Sequence, residues 1–102
     1  MADRTMAKST IQVDDRAVRA TEWRFAPGAH TGWHRHEFDY VVVPLTTGEL
    51  HMADRDENTR TASLTKGSSY AGTAGTEHDV INPNAFEFVF IEIELISGRH
   101  SR

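Results

Sequence analysis

The sequence contains no cysteine, and this absence narrows its chemistry before any motif is considered. Without cysteine the chain forms no disulfide bonds, carries no thiolate metal site and has no cysteine nucleophile. A transition-metal site in this protein must therefore use histidine and carboxylate ligands.

Long apolar runs and clusters of positive charge are also missing. No stretch approaches the roughly 20 apolar residues of a membrane-spanning helix, and the first ten residues lack the apolar core of a secretion signal. The formal net charge is −4 and the basic residues are scattered, which argues against nucleic acid as a partner. We therefore expect a cytoplasmic protein that binds neither nucleic acid nor membranes.

The 102 residues, 38% of them hydrophobic, fit one compact domain. We expect a flexible N-terminal segment over residues 1–10, a single domain over 11–97 and a tail over 98–102. The apolar segments are short and separated by turn residues, as in VRATEWRF (18–25) and FEFVFIEIEL (86–95). No stretch of helical length has a 3.6-residue apolar period, so the pattern predicts an all-β sandwich or barrel.

His34 and His36 are two residues apart, so on a strand both side chains point to the same face, as a chelating pair requires. This spacing alone is weak, because two surface histidines beside a turn would look the same. A further histidine, His78, follows a glycine-rich loop at the start of another predicted strand.

The intervals around these histidines extend the pattern to glycine and asparagine. GAHTGWHRHEFDYVVVPLTTG (28–48) and GSSYAGTAGTEHDVIN (67–82) resemble the two cupin motifs, G-x5-H-x-H-x(3,4)-E-x6-G and G-x5-P-x-G-x2-H-x3-N. Thr73 stands where the second motif usually has proline. The resemblance covers roughly residues 18–95 and extends to small single-domain bacterial cupins linked to β-alanine degradation. It implies a double-stranded β-helix, the jelly-roll barrel of cupins.

The chain departs from the first motif at the glutamate. That position falls on Tyr40 or Val41, depending on the spacing, and neither is a carboxylate. On a regular strand Tyr40 faces the same way as the histidines, whereas a bulge after Glu37 would turn Val41 inward and leave Asp39 nearby. The resemblance thus implies a three-histidine metal site, His34, His36 and His78, with a fourth position that is open or guarded by Tyr40.

Three neutral imidazoles leave the full charge on a divalent metal and favour an anionic or bidentate oxygen substrate. Iron, zinc, nickel, manganese and copper all suit such ligands. The resemblance therefore implies a metal-dependent enzyme, dioxygenase-like or isomerase/lyase-like, acting on a small organic acid or enol-type metabolite. The alternative is a non-catalytic cupin that binds or senses a small molecule.

Besides Tyr40, the expected pocket residues are Trp33 at its mouth and His51, either beside the metal ligands or as a structural histidine. We expect His30 at the surface or the pocket rim, and His100 in the tail. Apolar residues on both faces of the strands predict a homodimer, as small cupins commonly pair by sharing strands.

Overall fold

The structure, a computed structural model, describes residues 4–56 and 58–97. The described residues form nine strands and no helix, so none forms a helix that is long and apolar enough to cross a membrane. The strands are β1 (Lys8–Asp14), β2 (Val18–Phe25), β3 (His34–Arg35), β4 (Tyr40–Pro44), β5 (Gly48–Ala53), β6 (Thr59–Leu64), β7 (Tyr70–Gly72), β8 (Glu77–Ile81) and β9 (Phe88–Leu95).

These strands make two antiparallel sheets. The larger has the order β1-β2-β9-β4-β7 and the smaller the order β3-β8-β5-β6. β9, the last strand, lies between β2 and β4, so the chain crosses repeatedly between the sheets, as in a jelly roll. The prediction of an all-β, double-stranded β-helix is confirmed.

The core lies between the two sheets and takes apolar side chains from both. Phe25 of β2 and Phe88 of β9 are fully buried from one side, and Leu50 of β5 is fully buried from the other. β2 has the bounds predicted from sequence and pairs with β9 along its whole length, from Val18 opposite Leu95 to Phe25 opposite Phe88. Phe86, the first residue of the apolar segment noted in the sequence, precedes β9 and is exposed.

The N-terminal region differs from the expectation of a flexible segment over residues 1–10. β1 begins at Lys8 and pairs with β2, so residues 8–10 belong to the sheet. All seven β1 side chains are exposed, because this edge strand is held by main-chain hydrogen bonds and not by burial. The predicted tail, 98–102, lies outside the described residues.

Asn82 ties the loop after β8 to the end of β2. Its side chain is fully buried and donates from Nδ2 to the carbonyl oxygens of Phe25 (3.1 Å) and Phe86 (2.9 Å). Its Oδ1 accepts the main-chain N–H of Asn84 at 2.9 Å. The asparagine of the second motif therefore links the loop after β8 to the end of β2 and to the segment before β9.

Candidate metal centre

The three predicted ligands come from two paired strands and the turn beside them. His34 of β3 lies directly opposite His78 of β8 in the antiparallel register. His36 follows β3, where its N–H donates to the Thr76 carbonyl (2.9 Å) and its own carbonyl accepts from Gly75 N–H (2.8 Å). Strand register and this turn thus bring histidines from distant parts of the sequence to one place.

Gly75 is needed in that turn because its φ is +94°, in the left-handed region that side-chain-bearing residues rarely adopt. The conformation aims its N–H at the His36 carbonyl. The motif glycine therefore fixes the backbone at His36.

The three imidazoles converge on one point through their Nε2 atoms. His36 Nε2 lies 3.1 Å from His34 Nε2 and 3.2 Å from His78 Nε2. Ligand atoms of all three residues lie within 4.8 Å of one another. Because metal–nitrogen bonds measure about 2.0–2.1 Å, ligands of one metal stand about 3 Å apart, so the arrangement fits a transition metal. No carboxylate of the described residues joins this group.

Burial keeps His36 and His78 neutral. Desolvation, together with the neighbouring His34, lowers the pKa of His36 to about 4 and that of His78 also to about 4. Both rings are therefore uncharged at neutral pH, which is the form that binds metals.

Tyr40 occupies the inward position at which cupins usually carry glutamate. Its ring is 5% exposed and stacks on His36, with the ring centroids 3.9 Å apart. Val42 faces the same cavity, whereas Val41 alternates to the other side of β4. A Cβ at Gly72 of β7 would overlap the Tyr40 ring, so glycine there makes room for it.

The two acids nearest the histidine pair in sequence do not join the ligand group. Asp39 accepts the Ala74 N–H through Oδ1 at 2.9 Å and so closes the same turn. Glu37 is exposed at the margin of the cavity. The possible metal neighbour Asp39 therefore has a structural contact instead.

The cluster opens into a cavity of about 370 Å³ between the sheets. Its walls are largely apolar, and its polar side chains include the histidines and three acids, Glu37, Glu92 and Glu94. The apolar lining includes Trp23, Tyr40, Val42, Met52, Val80 and Phe90.

Glu92 of β9 is the site residue that the sequence did not reveal. Its Oε2 lies 3.3 Å from His36 Nδ1, and its Oε1 accepts a hydrogen bond from Trp23 Nε1 at 3.3 Å. Burial and the nearby Glu94 raise the pKa of Glu92 to about 7. The available signal was an acid continuing the inward row of Phe88 and Phe90.

Trp33 and His51, two expected pocket residues, do not line this cavity. Trp33 is 43% exposed and has the Arg55 guanidinium 4.9 Å from its ring centroid. His51 alternates on β5 with Leu50 and Met52, which face the core, and so lies on the opposite face of the sheet. Trp23 is the tryptophan of the cavity instead.

Of the remaining histidines, His30 is half-buried and its Nδ1 lies 2.9 Å from Asp79 Oδ2. The same carboxylate accepts the Gly32 N–H at 3.1 Å. This pair braces the loop that leads into β3. His100 lies outside the described residues.

Comparison with known protein families matches residues 21–94 to the Cupin domain. The chain belongs to the cupin family. A Pseudomonas aeruginosa relative, named β-alanine degradation protein BauB, is 54% identical over 95 residues, which span 93% of this cupin and 99% of the relative.

Solved structures agree with this assignment. A cupin domain from Bordetella pertussis is 52% identical, with a TM-score of 0.89 over 93% of this cupin and 98% of that chain. A Klebsiella pneumoniae protein with a double-stranded β-helix domain is only 13% identical, yet has a TM-score of 0.74 over 98% of this cupin and 85% of that chain. The second likeness concerns the fold alone.

Proposed function

We propose that this cupin binds a divalent transition metal through His34, His36 and His78 and is a metal-dependent enzyme. We propose as its substrate a small organic acid or enol-type metabolite, in a role connected with β-alanine degradation. The convergence of three Nε2 atoms, with His36 and His78 neutral, supports the metal. The name and the 54% identity of the Pseudomonas relative support the metabolic role.

The cavity favours a small ligand with oxygen donors at one end. Its volume, about 370 Å³, lies in the range that suits small metabolites. A bound iron, zinc, nickel, manganese or copper ion would supply Lewis-acid chemistry or, if redox-active, dioxygenase-like oxidation. Tyr40 covers one face of His36, and Val42 and Phe90 line the same cavity.

The first test is metal analysis of the purified protein beside two histidine variants. We expect near-stoichiometric metal in the wild type, its loss in His36→Ala, and its retention in the control His51→Ala, whose histidine lies outside the cavity. Loaded protein is then screened for oxygen uptake and for turnover of small organic and amino acids, β-alanine included. Iron with oxygen uptake would support a dioxygenase, whereas zinc or nickel would support non-oxidative chemistry. Absence of metal from the wild type would contradict the proposal.

One observation favours a second candidate, a cupin that binds or senses a small molecule without turning it over. No carboxylate of the described residues joins the three histidines, although most cupin motifs carry a glutamate there. Saturable binding of a metabolite to the loaded protein, with no product and no oxygen uptake, would favour this role.

We also propose that the protein is a homodimer in the cytoplasm. The edge strand β1 exposes Ile11 (57%) and Val13 (44%), apolar side chains that a second copy would cover. Light scattering at micromolar concentration tests this, with a dimer mass expected. Ile11→Lys should shift the mass toward the monomer, whereas a wild-type monomer would contradict the proposal.

A further inference from the structure

Glu92 is a buried acid inside the cavity, held at two points. Its side chain is 13% exposed, and its two oxygens contact two different ring nitrogens, Nδ1 of His36 and Nε1 of Trp23, each at 3.3 Å. Because the indole N–H only donates, Trp23 fixes the direction of the carboxylate. The other oxygen is thereby presented to His36.

A metal can use the Nε2 lone pairs only if no Nε2 carries a proton. Each neutral imidazole must then carry its proton on Nδ1, where it requires an acceptor. His34 has one, since its Nδ1 lies 3.0 Å from the Gly32 carbonyl oxygen. The atom that faces His36 Nδ1 is Oε2 of Glu92, at 3.3 Å.

We propose that Glu92 is a positioning residue that holds His36 as the Nδ1–H tautomer and aims its Nε2 at His34 and His78. This inference rests on the proposed metal binding and adds a residue to it. The carboxylate also places a negative charge directly behind one ligand, which raises the basicity of the imidazole and offsets part of a bound metal's charge. Glu92 thus supplies from β9 some of the charge lacking at Tyr40.

The geometry argues against Glu92 as a direct ligand. Its oxygen contacts Nδ1, the nitrogen of His36 on the other side of the ring from the Nε2 cluster. The group of mutually close ligand atoms contains the three histidines without Glu92. Its effect on a metal would therefore pass through His36.

The variant Glu92→Gln tests the inference and Glu94→Gln is its matched control. Glu94 lies two residues further along β9, lines the same cavity and contacts Arg19 (3.4 Å) instead of a histidine. In Glu92→Gln, the Trp23 indole N–H donates to the amide oxygen, so the amide NH₂ group faces His36 Nδ1. This arrangement favours the His36 tautomer with its proton on Nε2. We expect Zn²⁺ affinity, measured by competition with a chromophoric chelator, to fall about 10- to 100-fold in Glu92→Gln. In Glu94→Gln it should change less than about threefold, as expected of a more distant charge.

The imidazole tautomers of the metal-free protein give a second readout, which a purely structural role would not change. Above pH 7, where Glu92 is ionised, long-range ¹H–¹⁵N spectra should show His36 protonated on Nδ1 in the wild type and in Glu94→Gln, and on Nε2 in Glu92→Gln. Unchanged affinity and tautomer in Glu92→Gln would overturn the inference. Equal losses in both variants would also overturn it, because they would indicate a general effect of charge.

These measurements separate the inference from the proposed function. A wild type that binds Zn²⁺ no better than His36→Ala would contradict metal binding, and the tautomer spectra would then decide alone whether Glu92 controls His36. If Glu92→Gln does not fold, Glu92→Asp replaces it, because aspartate keeps the charge but withdraws it from His36 by one methylene. Zn²⁺ affinity should still fall in Glu92→Asp, and wild-type affinity there would overturn the inference.

Discussion

His78 lies near the start of β8 and Asn82 directly follows its end; both belong to the same sequence motif, yet their polar side-chain atoms have different partners. The Asn82 amide is satisfied within the chain, by main-chain carbonyls on one side and Asn84 on the other. The His78 Nε2 faces another imidazole nitrogen at 3.2 Å. The amide atoms of Asn82 are thus hydrogen-bonded within the protein, whereas the Nε2 of His78 has only another imidazole nitrogen beside it.

Residues of one motif can therefore have opposite energetic roles. A buried polar group that is fully hydrogen-bonded stabilises the fold, and deleting it leaves its partners unsatisfied. A cluster of desolvated imidazoles contributes less to the metal-free fold, because its Nε2 atoms face only one another, at 3.1 and 3.2 Å. Variants at the two ends of β8 should therefore differ in which property they change.

Bound metal should raise the free energy of unfolding more than any other change considered, and this increase should depend on the three histidines. Zn²⁺ at about 1,000 times its dissociation constant should raise the free energy of unfolding by about 4.1 kcal/mol. His78→Ala should abolish this increment, because two imidazoles hold a metal far more weakly than three. Chemical denaturation with and without Zn²⁺ measures both values. An undiminished increment in His78→Ala would exclude that residue as a ligand.

At the other end of β8, Asn82→Ala should lower the free energy of unfolding by about 3 kcal/mol, since it removes several buried hydrogen bonds and leaves their carbonyl partners unpaired. The exposed Asn58→Ala is the matched control and should change stability by less than about 0.5 kcal/mol. Folded Asn82→Ala should still bind Zn²⁺. If the free energy of Zn²⁺ binding falls as much as the free energy of unfolding, Asn82 also affects the histidine cluster.

The pH dependence of the metal-free protein provides a third test. His36 and His78 have folded pKa values of about 4, below the ordinary 6.5, so between those values the unfolded chain binds more protons and stability increases with pH. Glu92, raised from 4.5 to about 7, acts in the opposite direction, so its contribution is lost as pH rises through about 7.

Between pH 4.5 and 6.5 the two histidines bind about two more protons in the unfolded chain, whereas Glu92 binds about one more in the folded chain. The unfolded chain therefore binds about one proton more in total. The free energy of unfolding should therefore rise by about 1.4 kcal/mol per pH unit. Urea denaturation at half-unit intervals measures this slope. Glu92→Gln should make it steeper and His78→Ala should make it flatter, and the reverse order would contradict the assigned pKa directions.

The sequence predicted the elements whose stability depends on their own side chains. β2 was found with its bounds because a short segment with apolar and β-branched residues ends there at turn residues. The inward position of Tyr40 followed from the alternation of side chains along a strand. β1 was missed because its side chains are all exposed and its pairing partner, not its composition, makes it a strand.

The site was likewise predictable only in part. The intervals of the two motifs identified His34, His36 and His78, which the fold brings together. Glu92 was missed because its role depends on a contact between β9 and the end of β3, which no local pattern encodes. Trp33 was predicted to line the pocket, but Trp23 lines the cavity instead. The reason is similar, since only the sheet order decides which indole faces the cavity.

The smallest expected effect concerns two glycines that share a backbone conformation. Gly75 and Gly67 have φ values of +94° and +83°, and a Cβ would meet no atom closer than 3.7 Å at Gly75 and none within 4 Å at Gly67. Gly75→Ala and Gly67→Ala should therefore each lower the free energy of unfolding by about 1 kcal/mol, through backbone strain alone. Only Gly75 donates to the His36 carbonyl, whereas Gly67 donates to that of Pro44. Zn²⁺ titration should consequently show weaker binding in Gly75→Ala and unchanged binding in Gly67→Ala. Equal affinities in the two variants would mean that the turn at Gly75 serves the fold without placing the ligand.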